Sequence, residues 1–344
     1  MKKLFLFAAT ILLVNIVAAQ APIVITTPST GFSRIAPTLD SALLLAVKGD
    51  DIYLPGGFIN YSGVGINKQV HIHGAGCNTD SSKATNITSM TGITLTTGAD
   101  SGSIEGVNFI PNASGVNSYG ANILFSLSVS NYRISYCAIP TINFSANPGT
   151  QTETNLVMNN NYLGVLGSSG FANFSVENSS FLNNIIISPI FAFGFEGYCY
   201  FYNNIFLCTT PLPDNSTFEN NYFQNGITNN NSGSTFINNI NAIPNGTNIG
   251  TGNVNETPIT STFVNPGGCC AYYFDFHNDY HLQISSLGKG AGSDGKDIGL
   301  YGGQFPWKEG AIPSNPHISS KNISSQTTSN GTLQISVNVK AQNY

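Results

Sequence analysis

Charge is what this 344-residue chain has least of: only 8% of its residues are Asp, Glu, Lys or Arg, and Arg34 and Arg133 are its only arginines. A nucleic-acid partner would need a basic, Arg-rich face, so that class is excluded from the expected partners. The middle of the chain is emptier still. Between Ser101 and Thr260 there is no Lys and no His, Arg133 is the lone cation and Asp214 the lone aspartate. No C-x-x-C spacing occurs among the six cysteines (Cys77, Cys137, Cys199, Cys208, Cys269, Cys270), which leaves no zinc signature. Disulfides are compatible with an oxidising compartment, with the pairing open. Disorder is argued against by 22 Phe and 15 Tyr, which supply a packed interior.

Long apolar runs are also missing once the first residues are set aside. Lys2 and Lys3, the run Leu4 to Val14 and the small residues Ala18 and Ala19 have the layout of a secretory signal over residues 1–19. That run is too short for a comfortable membrane span, so no transmembrane segment is expected in the mature chain. The expected location is periplasmic, outer-surface or extracellular. Without Lys2 and Lys3 the chain carries ten basic against 17 acidic side chains.

What is abundant is a repeat. Val157-Met158-Asn159-Asn160-Asn161-Tyr162, Val176-Glu177-Asn178-Ser179-Ser180-Phe181, Phe201-Tyr202-Asn203-Asn204-Ile205-Phe206, Phe218-Glu219-Asn220-Asn221-Tyr222-Phe223 and Phe236-Ile237-Asn238-Asn239-Ile240-Asn241 share one pattern at a period of about 20 residues. Weaker copies start at Ile104 and Ile134. Asn tolerates the left-handed backbone of a tight corner, and Asn side chains stacked at the ~4.8 Å strand spacing can bond in a ladder. The apolar ends of each unit are expected to point inward as Phe, Val and Ile columns.

Upstream, Leu39, Ala42, Leu43, Ala46 and Val47 make one apolar face of a helix over about 38–47, with Thr38 as N-cap and Gly49 as its stop. Leu44 and Leu45 widen that face, and the helix suits the role of a plug on an open solenoid end. The main body is read as residues 20–313. Residues 314–344 read as a linker followed by one added strand.

The Asn-containing coils, the opening Gly49-Asp50-Asp51-Ile52-Tyr53-Leu54-Pro55-Gly56-Gly57, the segment Ile66 to Gly76, and the closing Asp279-Tyr280-His281-Leu282 and Gly290 to Gly299 resemble secreted right-handed parallel β-helix proteins of the pectin-lyase-like superfamily, of a kind found in Bacteroidetes-like bacteria. The resemblance covers roughly residues 35 to 303. It implies an all-β fold, a single-stranded right-handed parallel β-helix with an N-terminal capping helix, and it leaves the activity open.

Catalytic members of that superfamily imply two constellations. Lyases use clustered Asp ligands for Ca²⁺ with an Arg or Lys base, and hydrolases use several Asp residues with a nearby His. The central coils lack both sets. The remaining catalytic candidates are Arg133 with Glu177 and Glu219, which share one repeat position two coils apart around Tyr202. At ~4.8 Å per coil their carboxylates would stand about 9 to 10 Å apart, the upper edge of an inverting pair. An outward Glu on a solvated strand is otherwise plain surface.

Asp275, His277, Asp279 and His281 alternate, so one strand face would carry all four as metal candidates. A structural turn competes with that reading, and no metal is expected there. Asp294 and Asp297 in a Gly-rich turn are candidates for Ca²⁺, while the expected cofactor is none. His71 and His73 share a strand face, with a hydrogen-bonded structural role. Tyr198, Tyr200 and Tyr202 alternate and could stack on sugar rings.

The expected function is therefore a monomeric, exported scaffold that binds a polysaccharide or cell-surface glycan, or serves as a structural surface protein, without catalysis. The alternative is a polysaccharide lyase or glycoside hydrolase with an atypical site.

Overall fold

The computed structural model describes residues 21–111, 121–144, 151–167, 174–187, 198–207, 212–227, 232–244, 246–267, 275–313 and 316–340. Residues 1–19, expected from the sequence to be a secretory signal, and Cys208, Cys269 and Cys270 lie outside the described residues.

The chain is predominantly β, built on a 12-stranded and a ten-stranded sheet that it visits in alternation. Ser103–Glu105 lies in the larger sheet and Val107–Phe109 in the smaller, then Arg133–Ser135 and Ala138–Phe144, and so on through Thr217–Glu219 and Tyr222–Phe223. Successive visits pair in parallel, with Ile104 in register with Ile134, Ile134 with Met158, Met158 with Phe181, and then Phe201, Phe218 and Phe236. Identical residues therefore stack. Phe181–Phe201, Phe201–Phe218 and Phe218–Phe236 have ring centroids 4.7, 4.8 and 4.9 Å apart, and all four rings are fully buried. Offset stacks of this kind add about 0.5–1.5 kcal/mol per pair beyond burial.

This register corrects two of the five repeat units. The unit assigned to Val157 begins at Met158, and the one assigned to Val176 is Phe181-Leu182-Asn183-Asn184-Ile185-Ile186. The misreading has a physical source: each repeat has two left-handed corners. Asn160, Asn183, Asn203, Asn220 and Asn238 have φ of 49–56° where the chain leaves the larger sheet. Asn131, Asn155, Asn178, Tyr198 and Asn215 have φ of 49–60° where it enters. Asn178-Ser179 belongs to the entering corner and imitates the leaving one in sequence.

Two jobs foreseen for one Asn are divided between neighbours. The first Asn of each pair takes the left-handed backbone. The second, Asn161, Asn184, Asn204, Asn221 or Asn239, forms the buried ladder: each side-chain amide donates to the Oδ1 of the next Asn, at 3.0–3.1 Å from Asn161 through Asn239. The first Asn side chains reach outward instead. Asn183 donates to the carbonyls of Leu300 and Gly302, Asn160 to those of Phe305 and Pro306, and Asn238 to that of Ala291, so this column straps down the segment 291–306.

The helix spans Leu39–Leu45, and Thr38 Oγ1 accepts from Ser41 N at 3.1 Å as its cap. Its face is narrower than the pattern implies. Leu39, Ala42, Leu43 and Ala46 are buried, whereas Leu44, 81% exposed, and Leu45 lie on the opposite side of the helix, and Val47 faces out beyond its end, where Ala46 has turned to extended backbone. Lys68 Nζ satisfies the terminal carbonyls of Leu43 and Ala46, both at 3.0 Å. At the other end of the chain, the single strand expected is two: His317–Ile323 and Ile335–Lys340 pair antiparallel with each other in a sheet of their own. No helix among the described residues is long and apolar enough to cross a membrane.

Candidate functional site

Strand alternation sends every second side chain of the 12-stranded sheet outward, and the parallel register lines these up in columns. One column reads Tyr53, His73, Glu105, Ser135, Asn159, Leu182, Tyr202, Glu219, and its neighbour reads Asp51, His71, Ser103, Arg133, Val157, Ser180, Tyr200, Thr217. The strapped segment supplies Gln304 and Phe305 beside them, and two adjoining cavities result. They share Leu182 and Phe305 as walls.

The first cavity, about 300 Å³, is lined by Leu182, Asn183, Tyr200, Tyr202, Glu219, Gln304 and Phe305. The Tyr200 and Tyr202 rings stack with near-parallel planes, centroids 5.8 Å apart and planes within 14°. Tyr200 Oη donates to Glu219 Oε2 at 2.5 Å, and Ser293 Oγ donates to the other oxygen. Burial, with the Glu219 carboxylate second, raises the Tyr200 phenol well above its ordinary range, so it stays a donor. Tyr198 does not join this pair: it occupies the left-handed corner before the strand and is 77% exposed.

The second cavity, about 240 Å³, is lined by His73, Ser103, Glu105, Arg133, Ser135, Tyr136, Val157 and Asn159 with Leu182 and Phe305. His73 bridges two carboxylates, Nδ1 at 2.8 Å from Glu105 Oε1 and Nε2 at 3.0 Å from Asp51 Oδ1, while Tyr53 stacks on its ring at 4.9 Å. Burial alone would lower the imidazole pKa. The hydrogen bonds that His73 donates to Glu105 and Asp51 outweigh it and raise the group above its ordinary value, favouring the imidazolium. Arg133 is exposed on the adjacent strand. Its position diagonal to Glu105 follows from the pairing of Arg133 with Ser103 and Ser135 with Glu105. The apolar-polar alternation around Val70-His71-Ile72-His73 was a signal for His73 facing outward. Its meeting with Asp51 and Glu105 depends on cross-strand register over 54 residues.

Glu177 and Glu219 are not brought together. Glu177 ends the strand Phe174–Glu177, which pairs with Gln151–Thr154 in a third, two-stranded sheet, while Glu219 lies in the larger one. Glu105 and Glu219 do share a column, but five strand steps at ~4.8 Å put them about 24 Å apart.

Asp275 and His277 sit in a turn ahead of the strand Asp279–Leu282, so the four alternating residues do not share one strand face. Each aspartate instead engages the histidine two residues on, with His277 Nδ1 2.5 Å from Asp275 and His281 Nδ1 2.7 Å from Asp279. Asp297 accepts from Lys289 Nζ at 2.6 Å and from Gly290 N at 3.0 Å, and Asp294 accepts from Lys296 N. Among the described residues, no three His, Cys, Asp or Glu side chains are grouped so as to hold a metal ion.

No protein-family model, curated protein or solved structure matches this chain. The reading of function therefore rests on the two cavities.

Proposed function

We propose that the chain is an exported right-handed parallel β-helix, related to the pectin-lyase-like superfamily, whose outer groove binds a linear glycan without transforming it. The observation that carries this reading is the Tyr200–Tyr202 pair. Two near-parallel, stacked rings line the first cavity with apolar surface, with Glu219, Asn183 and Gln304 as polar groups around them. Sugar rings offer the complementary surface, an apolar face edged by hydroxyls. The two carboxylates that line the cavities, Glu105 and Glu219, do not make an acid–base pair with each other, because such a pair needs its members within about 10 Å and these stand far beyond that. The unit-by-unit alternation between two parallel sheets supports the β-helix assignment, and the Lys2 to Ala19 layout supports export.

A second reading, a polysaccharide lyase or hydrolase with an atypical site, is favoured by His73 and Glu105, which line the same cavity as Arg133 and are joined through His73 to Asp51. Incubation with acidic and neutral polysaccharides separates the two. Binding by calorimetry, lost in Tyr202→Ala and without release of unsaturated or reducing ends, is the expected result. Product release abolished by Glu105→Gln or Arg133→Ala would replace the binding reading with the enzymatic one.

A further inference from the structure

Glu153 is a carboxylic acid in a place built for an aliphatic side chain. It lies in Gln151–Thr154, a strand paired with Phe174–Glu177 so that Glu153 stands opposite Val176. Both residues are fully buried. Neither carboxyl oxygen of Glu153 has a hydrogen-bond partner on another residue, and only its own backbone N–H favours the charge, so an ionised carboxylate there would be desolvated with little to compensate it. The charged groups on the elements around it give no help. Glu177, beside Thr154 in the register, and Asp100, which accepts from Ser130 N at 2.8 Å in the adjoining coil, are both acidic. The strand Ala138–Phe144, which touches Phe174–Glu177, carries no titratable side chain. The sheet itself has two strands and four registered pairs, the kind of element that opens locally at low cost.

We propose that this two-stranded sheet is a pH-operated seam in the wall of the molecule, closed while Glu153 holds its proton and opening locally when the carboxyl gives that proton to solvent. Burial pushes the Glu153 carboxyl from 4.5 up to about 8. The closed seam binds a proton that the open seam has lost across that interval, so closure weakens as pH rises through it. Below the interval both forms are protonated, above it both are ionised, and the equilibrium is flat.

Hydrogen exchange read by mass spectrometry on the whole chain tests this, after correction for the intrinsic pH dependence of exchange. Protection of the amides in 151–155 and 176–180 should fall about tenfold per pH unit from about 5 to 8, while the Phe201 and Phe218 strands keep theirs. In Glu153→Gln the protection should be independent of pH. An unchanged slope in Glu153→Gln, or loss spread evenly over all strands, would overturn the proposal. Should that variant fail to fold, carboxyl ¹³C titration of Glu153 in the unmodified protein decides: a midpoint in the ordinary carboxylate range rejects it, and one near 8 supports it.

Discussion

Asn184 holds Asn161 twice, its Oδ1 accepting from the Asn161 backbone N–H at 2.9 Å and from the Asn161 side-chain amide at 3.1 Å. Asn184 Nδ2 in turn donates to Met158 O at 2.8 Å and to Asn204 Oδ1 at 3.0 Å. Every polar atom of the amide is used in a fully buried position. Removing one such side chain strands partners on both sides, and each buried group left unpaired costs about 1–3 kcal/mol. Asn204→Ala should therefore destabilise the fold by roughly 3–5 kcal/mol in a urea titration. Asn204→Asp should be no better, since it aims an acceptor at Phe181 O and Asn221 Oδ1, which the amide now donates to. An Asp variant as stable as the parent would refute the ladder's role.

The neighbouring Asn column fails by a different route. Asn183 has φ of 52° and tethers Leu300 and Gly302. Asn183→Gly keeps the backbone and loses the tethers; Asn183→Ala loses both and adds about 1–2 kcal/mol of left-handed strain. Thermal melts should rank them parent, Gly, Ala. Limited proteolysis should cut the 300–306 segment sooner in both variants.

His73 couples stability to pH. Its raised pKa means that the folded state holds the imidazolium more tightly than the unfolded chain. That contribution is complete below 6.5, the ordinary value, and is lost as pH rises through the folded value. His73→Gln should flatten this part of the pH–stability curve and leave Glu105 and Asp51 facing each other without a cation. The expected loss is about 3 kcal/mol near pH 6, measured by denaturant unfolding.

Cys77, Cys137 and Cys199 are free and buried. Burial pushes the Cys77 thiol up to about 12 and Cys199 to about 11, with Cys137 moved the same way, so none presents a thiolate near neutrality. Peptide mapping after iodoacetamide treatment should find these three unmodified in the native protein and fully modified in denaturant. Rapid native labelling of Cys199 would contradict its packed position.

Glu219 is expected to act through Tyr200. Tyr200→Phe removes the donor to Glu219 Oε2 while keeping the ring, so glycan affinity should fall less than in Tyr202→Ala, by a factor on the order of 5. Calorimetry on the same ligand gives the comparison.

The sequence by itself determined the local elements: the capped helix after Thr38, the short strands, the inward Phe columns and the left-handed Asn corners. These depend on side-chain periodicity and on backbone preferences of single residues, which neighbours in the chain reveal. It also determined that Asn would ladder, because identical residues recur at the period of one coil. Only the tertiary structure decided which corner each Asn occupies, since Asn178-Ser179 and Asn183-Asn184 satisfy the same local rule at opposite ends of a strand. That choice fixed the columns. It separated Glu177 from Glu219, joined His73 to Asp51 and Glu105, and put Phe305, from more than a hundred residues away, between the two cavities. Register across parallel strands is set by packing over the whole stack, and a shift of one residue turns every outward side chain inward.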